Sequence, residues 1–191
     1  EQLLSILDDR LNYGIFLDNF TTNLLLDMFW KNNDSTSGSR VASQLMFQED
    51  FEHPICASLS LLHCYKYLSN PTEWPQPPQP EEPEEEVKIR IKYLRNPYDD
   101  QHFDLKDPSQ IVGKTLMEIT RPFNDPLNSS FYLLGIILFK PEAAPGIIQE
   151  LINTNCKIYK NILELLPFEI ILDIIESYQR SLDRLVHVPS F

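Results

Sequence analysis

Glycine is scarce in this 191-residue chain, with five against fifteen prolines. Gly-rich phosphate cradles and series of tight β-hairpins need positive-φ backbone positions, so this scarcity excludes most of them and favours helices punctuated by proline. Cysteine is scarce too. Cys56, Cys64 and Cys156 are too few and odd in number for a disulfide framework, which points to a reducing intracellular compartment. Basic charge is in deficit, with 16 Lys and Arg against 28 Asp and Glu, and the net −12 argues against general attraction to nucleic acid or to an anionic membrane surface. A membrane-spanning helix needs about 20 apolar residues. The longest apolar run, residues 131–139 with Gly135 inside it, is too short and reads as a buried core helix. No basic-then-apolar leader follows Glu1.

What is present is a mix of 42% apolar and 23% charged residues, the composition of one compact domain with a real core. Leu3, Leu4, Leu7 and Leu11, then Phe16, Phe20, Leu24 and Met28, fall at helical spacings on either side of Gly14. Residues 31–40, rich in Asn and Ser, read as a polar loop. Helix resumes at Val41 and stops before Pro54, which opens a further helix to about Leu68 with Ile55, Leu59, Leu62, Tyr65 and Leu68 on one side. Residues 70–86 are rich in Pro and Glu and read as a solvated loop. Val87, Ile89, Ile91 and Tyr93 then alternate with Lys88, Arg90 and Lys92, the period of a half-buried strand. Asp107-Pro108 and Asp125-Pro126 each pair an N-cap with a first-turn proline, and apolar periodicity continues through Ile148, Leu151, Ile162 and Leu166. The expected fold is mainly α: one helical-bundle domain over 1–191, with a Pro/Glu-rich loop at 70–86 and a short β element near 87–94.

The chemistry-bearing groups are sparse. Gly113-Lys114-Thr115 resembles the tail of a phosphate-binding loop, but the position five before Gly113 is Pro108, so a helix interior is the better reading. No nucleophile elbow, catalytic cysteine signature or spaced carboxylate pair is present, and the chain is expected not to be an enzyme. His53 and Cys56, three apart at a helix start, form half a metal site at most, with zinc the fitting ion and a partner supplying the remaining ligands. His63 lies about 10 Å along the helix from Cys56, too far to share an ion. The basic stripe Lys88, Arg90, Lys92 and Arg95 stands beside the acidic run 81–86, which competes for those charges.

Large apolar residues exceed what one buried stripe per helix requires. Leu3, Leu7, Leu11, Ile15, Phe16, Phe20, Phe29 and Trp30 carry that surplus, which suits grooves for amphipathic helices of partner subunits or a homodimer face. Leu166-Pro167-Phe168-Glu169-Ile170-Ile171-Leu172-Asp173-Ile174-Ile175 resembles the start of an F-box, although Tyr178 falls one place later than that family's aromatic. That resemblance implies a ubiquitin-ligase adaptor. In helix order, acidity and the half metal site at His53 and Cys56, the chain as a whole resembles the helical bridge subunit of fission-yeast-type shelterin, which has a TRF-homology-like fold. This second resemblance implies a non-enzymatic adaptor that bridges subunits of an intracellular complex, nuclear rather than cytoplasmic and associated with telomeres, without direct contact to nucleic acid or membrane.

Overall fold

The computed structural model describes residues 2–75, 105–123, 125–154 and 156–166, and helices account for 73% of them. The fold is mainly α, with no strand among the described residues. The expected β element near 87–94 lies outside them, as do the loop beyond residue 75 and the F-box-like helix beyond Leu166.

Local signals set the helix limits. α1 (Gln2–Asp8) and α2 (Arg10–Tyr13) end at Gly14, which takes a left-handed conformation (φ 66°) and returns its N–H to the Arg10 carbonyl. α3 (Asn19–Lys31) begins where the Asp18 carboxylate accepts from the Thr21 N–H at 2.8 Å. α4 (Ser35–Gln48) begins in the same way, with Asp34 accepting from Ser37 N–H at 3.0 Å. α5 (Pro54–Ser69), α6 (Pro108–Thr120) and α7 (Pro126–Phe139) each carry proline in the first turn behind a capping side chain: His53, Asp107 and Asp125. A 3₁₀ turn (Pro141–Ala143), α8 (Ala144–Asn153) and the single turn α9 (Lys160–Leu163) follow.

One expectation fails here. The polar loop read at 31–40 shrinks to residues 32–34, because Asp34 caps a helix whose first two turns are built from small residues. Ser37, Gly38, Ser39 and Arg40 are buried, and the small volume of Gly38 lets α5 approach closely. A Cβ on Gly38 would clash with the His63 ring, 2.6 Å from Cγ and closer still to Nδ1. α5 is apolar on several sides and packs on more than one of them, with Leu59, Tyr65 and Leu68 half-buried against the core. Cys56, Ala57, Ser60, His63, Cys64 and Tyr67 are buried, while Ile55 stands exposed.

α3 and α5 lie side by side and run parallel. Cys56 Sγ donates to the Asn19 carbonyl at 3.4 Å near their N-terminal ends, and His63 Nε2 meets the Leu26 carbonyl at 2.9 Å in the middle. Lys66 Nζ donates to Asn33 Oδ1 at 2.9 Å at the far end. α4 contacts both, and α6 packs against α4 and α5. The pairing of α6 with α7 is the closest in the fold, and Gly113 and Gly135 allow it. A Cβ on Gly135 would stand 2.6 Å from the Gly113 carbonyl oxygen and 2.7 Å from Met117 N. Gly113 and Lys114 are thus buried in the interior of α6, as the helix reading expects.

A continuous apolar cluster runs from Leu4 and Leu7 through Leu26, Val41, Leu116 and Leu134 to Ile162 and Leu166. Trp74, after the end of α5, packs edge-on against Tyr67 at 5.4 Å and so belongs to this core rather than to a free loop. No helix of the described residues is long and apolar enough to cross a membrane.

Candidate docking surface

The eight apolar residues singled out in the N-terminal segment divide. Leu7 is core, 1% exposed, and Phe29 is half-buried against the core. Leu3, Ile15, Phe16, Phe20 and Trp30 are exposed, and the Leu11 side chain lies outside the described set. The helix periodicity of α3 is therefore real, but it marks the outside. Thr22, Leu25 and Leu26 face inward, whereas Phe20 (74% exposed), Leu24 (58%) and Met28, four residues apart, share the solvent side. Leu24 and Met28 were not singled out as binding residues, because i, i+4, i+8 spacing is the same for a core stripe and for an external one. The signal that separates them is the second stripe on the same helix.

The parallel neighbour adds to this face. Ile55 (57% exposed) and Leu62 are exposed on α5, and Leu59 between them is half-buried. The bond between Cys56 and Asn19 holds Phe20 and Ile55 at the same end of the helix pair. That end is acidic, with Asp18 before α3 and Asp50 and Glu52 before α5. The other end carries Lys31, paired with Asp27 at 2.6 Å, and Lys66, whose ammonium sits 4.5 Å from the Trp30 ring centre. The Asp18 carboxyl is held below its ordinary range by the hydrogen bonds it accepts at Thr21.

His53 and Cys56, the expected half metal site, meet at the start of α5 in another way. His53 Nδ1 accepts from the Cys56 backbone N–H at 3.4 Å, closing the first turn, and Cys56 Sγ turns to Asn19. No third potential ligand joins them among the described residues. Burial pushes the Cys56 thiol up, and Asp50 adds to this. Cys64, fully buried, is pushed up to about 12 by burial. At the other end of the fold, a cleft of about 850 Å³ opens between α6, α7 and α8, lined among others by Arg121, Phe123, Tyr132, Glu150 and Lys157.

Residues 1–184 match the sequence model of the family described as Mitochondrial 28S ribosomal protein S27. This match overturns four readings of the sequence. The likeness to the shelterin bridge subunit and the telomere association fall with it. So do the nuclear or cytoplasmic address and the F-box alternative. The physical reason is the same for both resemblances: helix order and acidity are common to many helical folds, and Leu-Pro-x-Glu is a generic helix start. Protein partners within a larger complex remain implied, whereas a ribosomal family removes the ground for excluding nucleic acid.

Proposed function

Because the chain belongs to the Mitochondrial 28S ribosomal protein S27 family, we propose that it is a structural, non-catalytic component of the small subunit of the mitochondrial ribosome. The observation that carries this reading is the family match over residues 1–184. The geometry supports it in two ways. Polar groups serve packing and capping, as in the surface caps Asp34, Asp107 and Asp125 and the buried His63 bond to Leu26. The exposed Leu3, Ile15, Phe16, Phe20 and Trp30 supply apolar surface of the kind that receives amphipathic helices of neighbouring proteins. With a net charge of −12, the chain is better suited to broad contact with basic protein neighbours than with phosphate backbone, so any RNA contact is local. The core that runs from α1 to Leu166 is consistent with a single helical domain.

The test is co-sedimentation. The tagged full-length protein, expressed in mitochondria, travels with the small subunit on a density gradient and stays with it after the two ribosomal subunits are separated. A chain that remains at the top of the gradient, or that fractionates outside mitochondria, overturns the reading.

A further inference from the structure

From the polarity of the α3–α5 face we infer that it is the seat of a single amphipathic helix of a neighbouring protein, whose basic end lies over Asp18, Asp50 and Glu52. This rests on the ribosomal reading for the identity of the assembly, but its evidence is local. Two parallel helices expose large apolar side chains on their outer sides: Phe20, Leu24 and Met28 on one, Ile55 and Leu62 on the other. Five such residues on adjacent elements are more than the scattered exposure of an ordinary surface. Half-buried Leu59 stands between Ile55 and Leu62 on the same side of α5.

Length and charge define the occupant. α3 has 13 residues, so the face is about 20 Å long, which a helix of about four turns covers. Apolar residues at i, i+3, i+4 and i+7 would fill it. Its ends are unlike. The N-terminal ends of α3 and α5 are held together by the Cys56–Asn19 bonds, so the carboxylates just before each helix, Asp18, Asp50 and Glu52, gather there. At the C-terminal ends Lys31 is paired with Asp27, and Lys66 supplies the positive charge. An occupant with Lys or Arg at one end is matched in one direction and opposed by charge in the other, which fixes its polarity along the face. A second copy of this chain could also set opposite ends together. The net charge of −12 on each molecule opposes that pairing, whereas a basic segment relieves the same field.

The experiment places a photo-crosslinking amino acid at position 24 or 55 of the full-length protein assembled into small subunits, and sequences what is attached. The expected product is a peptide from another protein with helical apolar spacing. Position 55, at the acidic end, should attach nearer to its Lys or Arg residues than does a second probe at position 28. In parallel, Leu24→Glu and the pair Asp50→Lys with Glu52→Lys should each lower incorporation into the subunit at least tenfold in competition with wild type. These positions are surface residues and α3 caps are untouched, so an unchanged melting temperature separates lost docking from lost folding. Crosslinks to RNA, crosslinks to a second copy, or incorporation equal to wild type for both variants overturn the inference while leaving membership of the subunit intact. Failure of the unmodified chain to enter the subunit overturns the reading it rests on.

Discussion

The ring of His63 lies against the Cα of Gly38, with its Nε2–H given to the Leu26 carbonyl at 2.9 Å and Nδ1 turned toward the glycine. Three helices meet at this point, since Leu26 belongs to α3, Gly38 to α4 and His63 to α5. Replacing Gly38 by Ala forces the ring or the helices apart, and a cost of about 2 kcal/mol follows from overpacking of this kind. Gly146→Ala, where no atom lies within 4 Å of the added carbon, should be neutral or slightly stabilising. Urea unfolding of the two variants checks the contrast, and equal midpoints would refute it.

The same histidine makes stability depend on pH. Burial, more than any other influence, holds its pKa below the ordinary 6.5, and nearby Lys66 acts in the same direction. The unfolded chain therefore takes up a proton near pH 6.5 that the native state resists. Stability is fully present above that pH and falls as the pH drops below it, by at most about 1.4 kcal/mol per pH unit for one proton. Urea midpoints at pH 7.5 and 5.5 should show the lower value at 5.5.

At Gly135 the neighbours of the missing Cβ are backbone atoms of α6, which cannot rotate away, and at Gly113 the nearest is Leu138 Cβ, fixed to the α7 backbone. Gly135→Ala should therefore be the more damaging of the two glycine changes, with a loss of about 3 kcal/mol or more, and Gly113→Ala should come close to it. Thermal unfolding ranks them. A Gly135→Ala protein that melts with wild type would show that the α6–α7 pairing is looser than described.

Leu7 and Phe20 separate core from surface within the N-terminal segment. Leu7→Ala should destabilise by roughly 2–5 kcal/mol, the range for truncating a buried leucine, whereas Phe20→Ser should leave the melting temperature nearly unchanged. Calorimetry on both variants decides. A large loss at Phe20 would mean that its ring is covered within the monomer.

Asp125→Ala removes a cap from α7 and should cost about 1 kcal/mol. Hydrogen bonds at Asn128 lower the pKa of its carboxyl, so this contribution is present at neutral pH and fades as acid protonates the group. Comparing wild type and variant at pH 7 and pH 3 should show the gap closing.

Much of this fold was legible because its punctuation is local. Asp107-Pro108, Asp125-Pro126, His53-Pro54 and Gly14 act within one turn of themselves, and each stands where its chemistry puts it. Ser35, Ser37, Gly38 and Ser39 were misread because their helix is favoured by what α5 brings against it, a ring 37 residues from the Leu26 carbonyl that orients it. The outer face of α3 was visible as a period but not as a side, since spacing does not say which stripe meets the core. The family was not legible from physical signals at all. Membership is carried by residue identities along the whole chain, whereas charge and helix order are shared with unrelated folds.

The deep seat of Cys64 gives the molecule a built-in clock. Its thiol is screened from water and pushed up to about 12, so an alkylating reagent at neutral pH meets almost no thiolate there while the helices hold. Every modification of Cys64 then records one visit to an opened state, and the rate at which label accumulates reads how often the α4–α5 interface comes apart. Cys156, partly open beside the α6–α8 cleft, reacts without waiting and supplies the zero of that clock in the same tube. Bound into a large assembly, the chain would run the clock more slowly, and the ratio of the two labels would measure how much of its rigidity is borrowed from its neighbours.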